Sequence, residues 1–433
     1  MSTAVTARTA QRRATLGAFV GTAIEWYDFF IFGTAAALVF GKVFYPQADP
    51  ASALMASFAT FWVGFLARPL GGFIFGHFGD KVGRKNTLIV TLVMMGASTA
   101  LIGVLPGYGQ IGVAAPVLLI VLRALQGIAV GGEWGGAVLM ATEHASEDRK
   151  GRAGAWVQQG SPAGSILATL AFLAVGSLPN DAFLSWGWRI PFLLSAVLVI
   201  VGFIIRAKVE ESGQFLEAKA RNEIPRTPVV EVFRTAGGAV VLGVMASILG
   251  IAAAYFSNTF LLAWTTGELK MNRQLILNIL LVTAILQFLW QPVAARLAER
   301  FGAVRVMMSA LVFALVVIVP LFLAILSQNV PFLAVMMVIN IVGASTYYAL
   351  LATLLAEAFP VSVRYTGVSV AYQLCATIVG GSTPLIAQAL LGGLGPWGVA
   401  GLYAAEVVLT AVGVWAIARR TSAVAAAQTE AVR

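Results

Sequence analysis

Two carboxylates stand in an apolar run near the start of the chain: Glu25 and Asp28, in the stretch GTAIEWYDFFIFG from Gly21 to Gly33. Three residues apart on a helix, they project from roughly the same face. Inside a bilayer each charge costs about 2.5 to 3.5 kcal/mol by insertion scales, so both acids must face a partner or a water-filled cavity. A carboxylate held in low dielectric can load and release a proton, and proton coupling is the chemistry this pair suggests. Arg123 is the one basic residue midway along another apolar run, and it suits either of two tasks. It can pair with those acids, or receive a substrate carboxylate in bidentate fashion. Glu133 follows ten residues later, nearly three turns along much the same face, as a proton relay or inner gate. Arg68, beside Pro69 and the pair Gly71 and Gly72, either snorkels to the surface or binds an anion.

The elements that must position these groups follow from composition. With 59% hydrophobic and 11% charged residues among 433, and a mean hydropathy of +0.87, there is too little polar surface for a soluble domain. Apolar segments long enough to cross a bilayer recur along the chain. Twelve are expected, near 16–40, 51–76, 87–106, 114–143, 153–177, 188–206, 236–265, 275–296, 305–327, 332–357, 365–391 and 398–418.

Orientation is read from the basic residues, which stay on the cytoplasmic side. One face collects 22 of the 28, in the N-tail, the segments after spans 2, 4, 6, 8 and 10, and the C-tail. Lys42, Arg189, Lys270 and Arg273 fall on the other face, leaving Arg68 and Arg123 inside. Both termini are therefore expected in the cytoplasm. The net charge of +9 is spread over seven segments instead of one stripe, which argues against nucleic-acid binding. The N-tail has no convincing cleavage site and is read as retained. A single cysteine, Cys375, permits no internal disulfide. His77 and His144 have no ligand partners at metal spacing, and no G-x-x-x-x-G-K-[ST] loop is present, so neither a metal nor direct ATP drive is expected.

Between Arg206 and Arg234 the composition turns to KVEESGQFLEAKARNEIPRTPVVEVFR, a charged linker that divides the chain six spans plus six. The expected organisation is an N-tail at 1–15, a first bundle at 16–206, the linker at 207–235, a second bundle at 236–418 and a tail at 419–433. GHFGDKVGRK (76–85) after span 2 has a degraded counterpart in ARLAERFGAVR (295–305) after span 8. Glu143 with Arg152 likewise corresponds to Glu357 with Arg364; these four lie at cytoplasmic helix ends, where ion pairs can form and break as a gate.

The spacing of GHFGDKVGRK resembles the loop signature G-x-x-x-D-x-x-G-R-[RK] of the major facilitator superfamily, with Gly76, Asp80, Gly83, Arg84 and Lys85 on its marked positions. IEWYDFFIFG, RPLGGFIFGHFGD, LRALQGIAVGGEWGGA and SWGWRIPF together resemble its metabolite:proton symporter family, the first half being similar to the shikimate permeases in particular. The resemblance implies an all-α membrane fold of twelve helices in two pseudo-symmetric six-helix bundles. It also implies a monomer in the bacterial cytoplasmic membrane, with a small-molecule substrate, protons and no cofactor. Asp80, Gly83, Arg84 and Lys85 would form a latch between the halves, a gating role. Spans 1, 4, 7 and 10 line the cavity in that superfamily. Neutral polar groups there and nearby would meet substrate: Gln159, Tyr255, Asn258, Asn340, Tyr347 and Tyr372, with Arg123 and Arg68 as the positive side. Glu406, in span 12, would lie outside the cavity. The expected activity is proton-coupled import of a small organic anion. The alternatives are a proline or betaine type zwitterion symporter and a transport-like metabolite receptor; no nucleophile, metal or cofactor constellation favours an enzyme.

Overall fold

A computed structural model describes residues 2–82, 84–131, 158–207, 228–360 and 363–431, and every regular element among them is helical. Helix α1, Ser2–Ala35, runs into a π-helical turn at Ala36–Phe40 and one further turn at Gly41–Phe44. Asp49 then starts α2, Pro50–Leu66: its carboxylate accepts the backbone N–H groups of Ala51 and Ser52, both at 3.1 Å, and Pro50 brings a preset φ. Hydrogen bonds from Ser52, and more weakly from Ala51, hold this exposed carboxyl below the ordinary aspartate range. There follow α3 (Arg68–Val82), α4 (Arg84–Val104), α5 (Ala114–Gly131), α6 (Gly160–Gly176) and α7 (Arg189–Ala207).

After these come α8 (Pro228–Tyr255), a second π-helical turn at Phe256–Leu261, a short helix at Leu262–Gly267, α9 (Arg273–Phe301), α10 (Ala303–Ser327) and α11 (Val330–Ala358). The chain ends in α12 (Arg364–Cys375), another π-helical turn at Ala376–Gly380, and α13 (Ser382–Ala431). Helix α13 breaks at Gly395, where φ is +69°, a left-handed value that glycine adopts without strain; Pro396 follows. That break falls between the two spans expected last.

Ten helices among the described residues are long and apolar enough to cross a membrane. One of them, Thr366–Thr421, contains the Gly395 break, and the shorter apolar helix Gly160–Gly176 lies within the span expected fifth. The first runs Thr15–Phe44, longer than 16–40 because the π-helical turn continues the helix.

The chain divides into two compact units: Met1–Ile224 with Leu261–Ala284, and Pro225–Phe260 with Ile285–Arg433. Leu261–Ala284, expected in the second bundle, is thus grouped with the first. Side-chain bonds run between this segment and the end of α6. Arg273 donates to the carbonyl of Gly176 at 2.7 Å and to that of Leu178 at 3.3 Å, with its guanidinium 3.8 Å from the Phe183 ring centre. Gln274 adds a bond to the Leu173 carbonyl at 3.3 Å. A cation on the open carbonyls of a helix C-terminus meets both their unfilled acceptor sites and the negative end of the dipole. Arg189 does the same for α4, donating to the carbonyls of Gly103 at 3.0 Å and Leu105 at 2.7 Å.

Within the first unit α1 packs on α6 and α7, while α5 packs on α2, α3 and α4. The contact of α5 with α2 and α3 is backbone on backbone. A Cβ on Gly127 would overlap the Gly64 carbonyl, one on Gly131 the Arg68 carbonyl, and one on Gly71 the Ile128 carbonyl. Small residues permit such approach between membrane helices, as the glycine-rich sequence of span 4 suggests. The π-helical turn sets Phe40 among Phe32, Phe44, Trp188 and Phe192, with ring centres 5.0 to 6.0 Å away. In the second unit α8 packs on α11, α12 and α13, and Phe256 meets Tyr403 at 5.0 Å and Phe322 at 6.2 Å between ring centres.

Candidate functional site

The backbone contact just described leaves a pocket of space over Gly64, and the Arg123 side chain fills it; a Cβ on Gly64 would collide with the guanidinium. Arg123 is 0% exposed. Its Nε donates to the Phe61 carbonyl at 3.2 Å and its Nη1 to Gln126 Oε1 at 3.1 Å. Rings surround the cation: the guanidinium carbon lies 4.3 Å from the centre of Phe29, 4.1 Å from Phe32 and 4.9 Å from Phe61. Desolvated cation–π contacts of this kind contribute about 2 kcal/mol each, which helps a charge persist where water is excluded.

Asp28 is also 0% exposed. Ser195 Oγ on α7 donates to its Oδ1 at 2.6 Å, and Thr99 Oγ1 on α4 to its Oδ2 at 2.8 Å. Hydrogen bonds to a charged group contribute about 1.5 to 3 kcal/mol each, so two hydroxyl donors are of the size needed to offset the insertion cost of one carboxylate. The same Thr99 oxygen accepts from Gln126 Nε2 at 2.6 Å. Asp28 and Arg123 are therefore joined by a continuous chain: carboxylate, Thr99 hydroxyl, Gln126 amide, guanidinium. Glu25 is 5% exposed, one turn before Asp28 on the same helix. Tyr27, between them, points elsewhere and donates to the Pro191 carbonyl at 2.6 Å.

Arg68 does not snorkel. It is 6% exposed, with its guanidinium carbon 4.3 Å from the centre of Phe29 and 4.5 Å from Phe65. The structure thus brings together Asp28, Arg123 and Arg68 from the expected set, and adds Thr99, Gln126 and Ser195, which the sequence reading does not single out. Gln126 carried a signal, an amide one turn from Arg123 in an apolar helix. Thr99 and Ser195 carried none, because hydroxyl residues are common in membrane helices and bond their own backbone. Arg206, counted with the linker, is buried, donates to the Leu88 carbonyl at 2.8 Å and lies against Gly21.

In the second unit the expected substrate groups are dispersed. Asn258 Nδ2 bonds the Ala254 carbonyl of its own helix at 2.9 Å. Tyr347 donates to the Ala246 carbonyl, and Tyr348 and Tyr372 share a hydrogen bond at 3.0 Å. Asn340 accepts from Tyr403 at 3.3 Å, and Tyr255 is buried. Gln159, in the first unit, is buried just before α6. Glu406 is 6% exposed and accepts from Thr383 Oγ1 at 2.9 Å. Of the gating set, Lys85 donates to the Ala207 carbonyl at 2.8 Å, Glu357 is exposed, and Arg364 bonds the Phe359 carbonyl at 3.4 Å. Gly83, Glu133, Glu143 and Arg152, and the side chains of Asp80 and Arg84, lie outside the described residues.

Comparison with known proteins agrees with this architecture. Residues 14–240 match the family described as sugar (and other) transporter, and residues 135–427 the family described as MFS/sugar transport protein. The chain is 42% identical over 388 residues to the shikimate transporter of Escherichia coli (strain K12), covering 88% of each. It is 37% identical over 408 residues to the inner membrane metabolite transport protein YhjE of the same organism, covering 92% of this chain and 91% of that one. With the E. coli (strain K12) proline/betaine transporter it shares 32% over 390 residues, 88% of this chain and 78% of that one. Among solved structures, the crystal structure of a D-xylose-proton symporter superposes with a TM-score of 0.77 at 17% identity, covering 93% of this chain and 97% of the other, a likeness of fold. The chain belongs to the sugar and metabolite transporters of the major facilitator superfamily and has that superfamily's fold.

Proposed function

We propose that this transporter imports a small organic anion, of the shikimate or related mono- and dicarboxylate class, together with protons. The observation that carries the reading is the buried chain from Asp28 through Thr99 and Gln126 to Arg123. It ties a group able to hold a proton to a cation able to attract an anion, which is the linkage symport requires. Similarity to a shikimate transporter supports the substrate class. Glu25 and Asp28 take the coupling role, with Glu133 as relay. Arg123 and Arg68 supply positive charge, with Gln159, Tyr255, Asn258, Asn340, Tyr347 and Tyr372 as polar contacts for the substrate. Asp80, Gly83, Arg84 and Lys85, with Glu143, Arg152, Glu357 and Arg364, gate the alternation of access. The proton gradient drives the cycle without a cofactor, in a single chain of the bacterial cytoplasmic membrane with both termini in the cytoplasm.

The test is uptake of shikimate into proteoliposomes under an imposed pH gradient. Glu25→Gln and Asp28→Asn are expected to abolish accumulation against a gradient while leaving exchange at equilibrium. Full accumulation in both variants would overturn the coupling assignment. The similarity to a proline/betaine transporter favours one second reading, a zwitterionic substrate. Uptake of betaine or proline with no competition by shikimate would select it.

A further inference from the structure

The Thr99 hydroxyl has three neighbours at hydrogen-bond distance, and their arrangement is unusual for a single side chain. Asp28 Oδ2 lies at 2.8 Å, the Met95 carbonyl at 2.9 Å and Gln126 Nε2 at 2.6 Å. The amide nitrogen can only donate and the carbonyl can only accept, whereas a carboxyl oxygen accepts when ionised and donates when protonated. A hydroxyl has one proton to give and two lone pairs to receive. We propose that Thr99 is the positioning residue of the proton step: its hydroxyl donates to Asp28 while that carboxylate is ionised and turns back to Met95, accepting from Asp28, once the acid holds a proton. This rests on the reading of Asp28 as a proton carrier.

Both states are then fully bonded. With Asp28 ionised, Thr99 gives its proton to Oδ2 and receives the Gln126 amide. With Asp28 protonated at Oδ2, Thr99 receives both the acid and the amide, and its own proton goes to the Met95 carbonyl one turn back. Ser195 donates to Oδ1 in either state, so it directs the arriving proton to Oδ2. Among these groups none loses its partner when the proton comes or goes, and an unsatisfied buried group is what would otherwise oppose one of the two states. Gln126 holds Thr99 in place from Arg123 in both states, because its oxygen accepts from Nη1 while its nitrogen donates to Thr99.

Other charges bear on Asp28. Glu25 and Tyr27 share its helix, and Arg123 and Arg68 reach the neighbouring Phe29 ring from α5 and α3. Of the helices packed on α1, α2 and α6 carry no titratable residue. Helix α4 has Arg84 and Lys85 at its first turn, and α7 has Arg189 and Arg206 near its ends, engaged with the carbonyls of Gly103 and Leu105 and of Leu88.

The experiment follows the carboxylic-acid infrared band of Asp28, identified by its loss in Asp28→Asn, as pH is varied on the full-length protein in lipid nanodiscs. Thr99→Val removes a charge-assisted bond from the ionised state and a weaker neutral one from the protonated state. The midpoint of the band is expected to move to higher pH by about one unit. Thr99→Ser is expected to restore the wild-type midpoint, a rescue that packing alone would not give. Thr99→Ala, with no branched side chain to accommodate, is expected to move the midpoint as valine does and serves if the valine variant does not fold. An unchanged midpoint in Thr99→Val or Thr99→Ala, an equal displacement in Thr99→Ser, or a band that does not titrate would overturn the proposal. If Asp28→Asn accumulates shikimate normally while Thr99→Val still moves the midpoint, proton coupling at Asp28 falls and the hydroxyl switch stands.

Discussion

Arg68 and Arg123 share one aromatic ring: each guanidinium carbon lies 4.3 Å from the centre of Phe29. The ring quadrupole is attractive to both cations. Phe29 therefore serves both arginines from a position one residue from Asp28. The arginines and the acid are parts of one arrangement.

Phe29→Leu keeps most of the apolar volume and removes the π face. With two desolvated contacts at about 2 kcal/mol each, the variant is expected to lose about 4 kcal/mol of stability. Phe29→Tyr retains the ring and is expected to lose less. Thermal unfolding of the purified variants measures the order, and equal losses for leucine and tyrosine would contradict the cation–π account.

The glycines between α5 and the helices α2 and α3 give a second test. Gly71→Ala and Gly127→Ala each place a methyl on a backbone carbonyl, of Ile128 and Gly64, which cannot yield as a flexible side chain would. Overpacking costs about 1 to 3 kcal/mol, and here it also widens the space around Arg123. Both variants are expected to show reduced uptake and a lower unfolding temperature, whereas Gly401→Ala, with nothing within 4 Å of the new atom, is expected to behave as wild type.

Much of this was legible in the sequence, for a physical reason. A charged side chain in an apolar helix is expensive, so Glu25, Asp28, Arg68 and Arg123 stand out wherever they occur. What satisfies those charges was not legible. Thr99, Gln126 and Ser195 are neutral residues of types found in many membrane helices, and two of the decisive bonds join positions 71 and 167 residues apart. Tertiary packing chooses those partners, and a single sequence shows no sign of the choice. The reach of Arg273 to the end of α6 was not legible for a similar reason.

Arg273 supplies the third test. Its bonds to the carbonyls of Gly176 and Leu178 cap α6 from a segment nearly a hundred residues away. Arg273→Ala leaves those acceptors to water and is expected to cost about 1 to 3 kcal/mol. Arg273→Lys keeps the charge but cannot fork between two carbonyls, so an intermediate loss is expected. Amide hydrogen exchange should quicken for the segment after α6 and for Leu261–Ala284 together, ahead of the rest of the first unit. Exchange confined to one of the two segments would show that Arg273 does not join them.

Glu406 contrasts with Asp28. Both are buried acids in apolar helices, but Glu406 accepts one hydroxyl, from Thr383, and no other hydrogen bond reaches its carboxylate among the described residues. No relay joins it to a cation there. An amide oxygen can accept from Thr383 as the carboxyl does, so Glu406→Gln is expected to keep accumulation of shikimate and to match or exceed wild-type stability, because it cannot ionise in a dry site. Glu406→Ala leaves a cavity and strands Thr383 Oγ1, and is expected to lose about 1 to 3 kcal/mol. Uptake and unfolding measured on the two variants together decide between roles. Loss of accumulation in the glutamine variant with stability intact would make Glu406 a second proton carrier.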